Sequence, residues 1–413
     1  MNILVTAIGT MGNALPFLGW ARDLARRGHD VTVLGSPYLD KTCRRLELEF
    51  APVDSFEDGT TEEQRVRPRQ TRKLLKQLAA EVRPLSIRLH REIVARHAPR
   101  ETVVIATSWQ FGARIACDQL RIPLVTAVLQ PYFLPHRMPR PGQRVAQRVI
   151  QRVMQRRIGP IVDSLRAEVR LPPVGRSFTE WTFSSELVVA LFPQWFAPDL
   201  AEVPLPTVYT EFPRFDGMQE FTRSDELTAF LDAGDPPILL SESSLASQSG
   251  DSNGFDLSLE ACRRIGRRAI LLSADERRVP TPLPNGVGYF GYLPLSTILP
   301  HCAAFVHHGG LGSLSQALAA GIPQVTIPRF MDQPDNSRHL EALGISRNLN
   351  PRRISSEMLA QALSELIKSP SVLERCQSLK TRVQSEVPFT TASEAVEQLA
   401  RLSRLRSPQT VLC

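Results

Sequence analysis

Residues 305–336 read FVHHGGLGSLSQALAAGIPQVTIPRFMDQPDN, and this stretch decides the fold. An apolar strand ends at Val306, two histidines and three glycines follow, and a helical pattern starts near Ser313. A second apolar strand, PQVTIP (323–328), comes next, with Asp332 and Gln333 beyond it. Strand, glycine loop, helix and strand in that order make a crossover unit of a parallel sheet. Glycines let a backbone approach an anion, and the unpaired N–H groups of a helix start bind phosphate with help from the helix dipole. A serine hydroxyl there can donate to a diphosphate oxygen, and a histidine adds a donor or a charge. An ordinary turn with a capping serine shares the first half of this pattern. It does not account for the whole run HHGGLGS followed downstream by DQ.

Working outward, the same alternation fills the chain. PILLSES (237–243), AILLSA (269–274) and VGYFGY (287–292) precede the glycine loop as further strands. In the first half, NILVTAI, DVTVLG, TVVIATS (102–108), PLVTAVL (123–129), LVVALF (187–192) and PTVYTE (206–211) alternate with helical patterns, one of them long, from about Glu62 to His97. The expected fold class is α/β: two doubly wound, Rossmann-like domains facing each other across a cleft at the carboxyl ends of their strands. Residues 1–215 form the first domain, 216–235 a linker, and 236–413 the second, whose last helix is expected to cross back to the first.

Bulk properties agree with this division. A chain of 413 residues exceeds one ordinary core and suits two domains. Apolar residues make up 42% and charged residues 22%, the balance of a globular protein in water. MNILVTAIGT lacks the basic start and small-residue cleavage site of a secretory leader, and no apolar run reaches membrane-spanning length. Six scattered cysteines without a CxxC pair read as reduced thiols, so the expected location is cytoplasmic.

The net charge of +7 is concentrated. Between Arg137 and Arg170 nine arginines face only Asp163 and Glu168. QRV recurs every four residues there, placing Arg144, Arg148, Arg152 and Arg156 on one stripe of a 140–158 helix, with Val145, Val149, Val153, Ile150, Met154 and Ile158 on another. The plainer reading is a solvated face packed on a domain; the sharper one is peripheral contact with anionic lipid at the inner face of a membrane. Nucleic acid is not expected, because no aromatic residues interleave the block.

HHGGLGS resembles the HHGGxGT loop of sterol glucosyltransferases and antibiotic-tailoring glycosyltransferases, members of the UDP-glycosyltransferase superfamily with the GT-B fold. The nearest likeness is to the rhamnosyltransferases of rhamnolipid synthesis. FGARIA (111–116), LFPQWFAP (191–198), FPRFDG (212–217) and DQPDN (332–336) fall in the family's order. The resemblance implies that His308 and Ser313 hold a donor diphosphate, with Gly310 and Gly312 giving backbone access. It implies that Asp332 and Gln333 bond sugar hydroxyls, and that Tyr292 takes the place of the tryptophan that stacks on the base. Leu295 and Gln316 replace a glutamine and a ribose-binding glutamate of the family. By the same resemblance Ser243 and Ser244 stand where relatives often have Gly-Ser beside the phosphates, and the neighbouring Glu242 would repel a diphosphate unless it points away.

No DxD triplet occurs, so the expected chemistry is metal-independent and inverting, with helix and histidine taking up leaving-group charge. The donor is expected to be a UDP- or dTDP-hexose, and the acceptor a hydrophobic small molecule or lipid. The loop after the first strand, GTMGN, is not GxGxxG, and the second strand ends in LGSP without a ribose-binding carboxylate. A nicotinamide site is therefore not expected. In the family this loop faces the acceptor and carries a histidine or aspartate base. Here that place belongs to Asn13, whose amide cannot take a proton near neutrality. His136 is the nominated substitute base, and Trp109, Phe133 and Trp195 are candidates for an apolar acceptor pocket or for core. Two other readings use the same residues: a catalytically weak, sugar-nucleotide-binding partner of another glycosyltransferase, and a transferase to nitrogen, which needs no strong base.

Overall fold

The computed structural model describes residues 1–54, 71–134, 152–175, 178–200, 203–217, 221–241, 255–329 and 331–405. Apolar runs that need burial on both faces form two fully parallel sheets. The first holds β1 (Asn2–Ala7), β2 (Asp30–Gly35), β3 (Glu49–Pro52), β4 (Thr102–Ala106), β5 (Leu124–Val128), β6 (Leu187–Ala190) and β7 (Thr207–Tyr209) in the order β3-β2-β1-β4-β5-β6-β7. The second holds β8 (Ile238–Ser241), β9 (Ala269–Leu272), β10 (Val287–Phe290), β11 (Ala304–His307), β12 (Gln324–Thr326) and β13 (Ser346–Asn348) in the order β10-β9-β8-β11-β12-β13. This is the doubly wound α/β architecture read from the alternation.

Strand order reverses between β1 and β4 and again between β8 and β11. Loops leaving the carboxyl ends of strands at such a reversal diverge to opposite faces and leave a crevice. The GTMGN and HHGG loops both emerge there, after β1 and β11. The long first-domain helix is described over Thr71–Arg96. Its backbone approaches helix Phe111–Leu120 so closely at Gly112 that a Cβ there would collide with the Ser86 carbonyl oxygen.

The stretch read as a linker contains a helix, Asp225–Asp232, capped by the Ser224 hydroxyl, which accepts from Leu227 N–H at 3.2 Å. Leu227 is buried with Leu239, Ile270 and Phe305, so this helix is part of the second domain's core.

Helix Thr390–Leu405 packs on the first domain: Phe389, Ala392, Val396 and Leu399 share a core with Trp20, Leu24 and Val31. Ser393 Oγ donates to Asp23 Oδ2 at 2.6 Å, and His29 Nε2 lies 3.1 Å from Glu397 Oε1. Between the sheets, Phe196 and Phe212 of the first domain share one apolar cluster with Leu311, Leu314 and Leu340 of the second. The turn Pro131–Phe133 after β5 packs against helix Gln333–Ala342. The five described cysteines are buried and unpaired. Among the described residues no helix is long and apolar enough to cross a membrane.

Candidate functional site

β11 runs to His307, one residue past the expected end, and helix Leu311–Ala320 begins after Gly310. The helix has no side-chain cap and no acidic residue in its first turn. Leu314 N–H bonds back to Gly310 O at 3.0 Å, so the N–H groups of Leu311, Gly312 and Ser313 precede the intrahelical ladder. Gly312 is exposed, with open space where a Cβ would stand, and Ser313 is half-buried. Gly310 lies under the His308 ring: a Cβ at 310 would come within 2.5 Å of His308 Nε2. An uncapped helix start, a bare glycine and an imidazole thus share the β8/β11 crevice.

The two histidines differ. His307 is fully buried and stacked on Phe305, with ring centroids 4.5 Å apart. Its Nε2–H donates to Gln324 Oε1 at 2.9 Å, and its Nδ1 accepts from Gly309 N–H at 3.1 Å. Burial, with His308 alongside, depresses its pKa to about 3. His308 is pushed down to about 4 by burial and then by the Arg329 charge. Near pH 7 the ring of His308 is therefore neutral, so in this state it offers a hydrogen bond and not a positive charge.

Asp332 and Gln333 begin helix Gln333–Ala342 beside this loop. Burial raises the Asp332 carboxyl to about 6, against hydrogen bonds that favour its charge. Gln333 is buried, and its Oε1 accepts from Arg329 N–H at 2.9 Å; that oxygen holds the loop after β12. Asn336, fully buried, donates through Nδ2 to Gly309 O at 3.0 Å and to Asp332 Oδ2 at 2.7 Å. The sequence pattern offered a signal for that bond, since Asp332 and Asn336 stand one helical turn apart, but not for the bond to Gly309.

Tyr292 follows β10 with 58% of its surface exposed, while its hydroxyl donates to Asp216 O at 2.9 Å. A tethered hydroxyl with an exposed ring is a ready stacking platform. Gln316, by contrast, is buried. Ser243, Ser244 and Glu242, like His136, lie outside the described residues.

On the first-domain side, Asn13 sits half-buried in the first turn of helix Met11–Arg26, its side chain over Gly9. At the same strand reversal, Gln110 Oε1 accepts from Thr107 N–H at 2.7 Å and bonds the Thr6 hydroxyl. Gln110 also borders an apolar cavity of about 160 Å³ lined by Val82, Leu85, Leu89, Trp109, Phe111 and Met154. Trp109 meets Phe133 edge-to-face at 6.3 Å, and Phe133 meets Tyr132 at 5.2 Å. Tyr132 reaches the second domain, where the charges of Asp335 and Asp332 add to burial in raising its pKa. Trp195 is elsewhere: it packs on Phe212 and Phe196 under the Arg382 guanidinium, at the junction of the domains.

The described part of the basic helix divides as both readings require. Val153, Met154 and Ile158 line the cavity, while Arg152 and Arg156 are exposed. Arg144 and Arg148 lie outside the described residues.

Comparison with known proteins accounts for both halves. The Glycosyltransferase family 28 N-terminal domain matches residues 3–139, and the Erythromycin biosynthesis protein CIII-like C-terminal domain matches residues 259–402. Glycosyltransferase GtfC of Amycolatopsis orientalis is 28% identical over 368 residues, covering 84% of this chain and 85% of the relative. Aklavinone 7-beta-L-rhodosaminyltransferase of Streptomyces galilaeus is 32% identical over 155 residues, 37% of this chain and 35% of its own length. The crystal structure of glycosyltransferase VinC in complex with dTDP superposes with a TM-score of 0.73 at 17% identity, over 98% of this chain and 100% of that one. These relatives lend no support to a special closeness with the rhamnolipid enzymes. Two crevice-forming parallel domains, each matched by a glycosyltransferase family, place the chain in the UDP-glycosyltransferase-like superfamily of GT-B glycosyltransferases.

Proposed function

We propose that this glycosyltransferase moves a hexose from a dTDP- or UDP-sugar to a hydrophobic small molecule or lipid, with inversion and without a metal ion. The observation that carries the donor half is the uncapped start of helix Leu311–Ala320 at the β8/β11 crevice, with His308 and exposed Gly312 beside it. In this reading the Leu311, Gly312 and Ser313 N–H groups, the Ser313 hydroxyl and His308 bond the diphosphate. Tyr292 stacks on the base, and Asp332 accepts from a sugar hydroxyl, with Gln333 beside it. The acceptor oxygen forms its bond to the anomeric carbon as the bond to the diphosphate oxygen breaks. The negative charge gathers on the diphosphate, where the helix start lowers its energy. Asn13 orients the acceptor, whose proton leaves to another group or to water.

Two further facts support the reading. VinC is described in complex with dTDP, and the Streptomyces galilaeus relative is named for a small-molecule acceptor, aklavinone. The apolar cavity beside Gln110 and Trp109 suits the hydrophobic part of an acceptor. The catalytically weak partner remains the second reading, favoured by the amide at position 13.

The test is a panel of UDP- and dTDP-sugars scored by melting temperature, followed by product analysis with apolar alcohols. We expect one donor class to raise the melting temperature. Leu85→Trp, which fills the cavity, should lower acceptor kcat/KM by about tenfold or more and leave donor affinity unchanged. No stabilisation by any donor would overturn the donor site, and unchanged acceptor kinetics would remove the acceptor from this cavity.

A further inference from the structure

The proposed phosphate loop and the proposed sugar-binding carboxylate are separated in sequence, yet one buried chain of hydrogen bonds joins them. It starts at Leu314 O in the second turn of the donor helix, which Gln324 Nε2 approaches at 3.5 Å. Gln324 Oε1 accepts from His307, His307 Nδ1 accepts from Gly309 N–H, Gly309 O accepts from Asn336, and Asn336 donates again to Asp332. Gln324, His307 and Asn336 are each 0% exposed. None of the three can meet a substrate directly.

Gly309 is the pivot. Its φ of +88° is a left-handed conformation, and a Cβ there would stand 2.5 Å from Ser337 Oγ and 3.1 Å from Gln333 O. Both polar ends of this residue are held by side chains, its N–H by His307 and its carbonyl by Asn336. Asn336 spends its two amide hydrogens on two different motifs, and a primary amide can donate twice from one nitrogen without bringing a charge. Aspartate in its place would have the same shape, no donor, and a charge against Asp332.

We infer that Asn336 is a positioning residue of the donor site: through Asp332 it aims the carboxylate at the sugar, and through Gly309 it sets the turn leading into the phosphate-binding helix. The inference rests on the donor site proposed above. It assigns work to a residue outside the substrate's reach and separates two effects. The bond to Asp332 acts on a sugar-bearing ligand, whereas the bond to Gly309 acts on any ligand with a diphosphate.

The experiment is calorimetry with the full chain, using dTDP, dTDP-glucose, UDP and UDP-glucose, on wild type, Asn336→Ala, Asn336→Asp, Asp332→Asn and the double variant Asp332→Asn/Asn336→Ala. Asn336→Ala should weaken the nucleotide-sugar by about 10- to 100-fold, and the free nucleotide diphosphate by clearly less. Because Asn336 acts through Asp332, its effect on the nucleotide-sugar should shrink in the Asp332→Asn background. A role in stability alone predicts a lower melting temperature, with equal losses for both ligands that add fully to those of Asp332→Asn. That pattern, or unchanged binding, overturns the inference. If Asn336→Ala does not fold, the isosteric Asn336→Asp carries the same comparison. Wild-type protein that binds none of the four ligands overturns the donor-site reading itself, an outcome distinct from wild-type binding with indifferent variants.

Discussion

Asn13→Asp is expected to accelerate transfer to an alcohol acceptor whose proton otherwise leaves to water, by as much as about 10²–10⁴-fold, the range of general-base assistance. The substitution is nearly isosteric, and it restores the carboxylate that the resemblance places at this position. Asn13 lies half-buried in the first turn of helix Met11–Arg26, with its side chain over Gly9. A helix start favours a negative charge, so the new carboxylate should be ionised at neutral pH without loss of stability. Positioning and leaving-group stabilisation support the wild-type rate, and the variant adds a proton acceptor to them. The measurement is single-turnover kinetics with one donor and one unactivated alcohol. A variant no faster than wild type would mean that another group, or a nitrogen acceptor, already handles the proton. No transfer by either protein, with the donor bound, would favour the weak-partner reading.

Gly312→Ala should separate stability from donor binding. Nothing lies within 4 Å of a Cβ at this position, and its φ is not in the left-handed region. Alanine is the better helix former by up to about 1 kcal/mol, so the melting temperature should hold or rise. In the proposed site, however, that open space is where a diphosphate approaches the backbone. A methyl group there should push the anion off at least one charge-assisted bond, at a cost of about 1.5–3 kcal/mol, or about tenfold or more in affinity. A more stable protein with weaker donor binding is the expected result. Equal affinity would remove Gly312 from the phosphate path.

Much of the architecture was legible because burial and chemistry coincide in the sequence. Central strands such as β1, β4 and β11 must be apolar on both faces, so they stand out as runs. Short edge strands carry no such demand: β3 is EFAP and β13 is SRN, and neither has a run to read. Helix Asp225–Asp232 is only two turns long, with Leu227 buried and Phe230 and Leu231 half-buried, too short a pattern to stand out between FPRFDG and AGDPP. The HHGG and DQ motifs were visible because glycines and short polar residues cluster at a strand end. What pattern alone left out was their connection, since Asn336 meets Gly309 only across the fold. Trp195 shows the opposite limit: aromatic character left pocket and core both open, and only its neighbours place it in the apolar junction of the domains.

Calorimetric titration of dTDP and UDP tests most directly whether HHGGLGS holds the donor diphosphate. Wild type is to be compared with a His308→Ala/Ser313→Ala variant whose circular dichroism matches it. Each side chain should supply a charge-assisted bond of about 1.5–3 kcal/mol, so together their loss should weaken binding by about 100-fold or more. Wild-type binding that falls to this extent in the variant is the predicted result. Equal affinity of the two proteins for both nucleotides would contradict it.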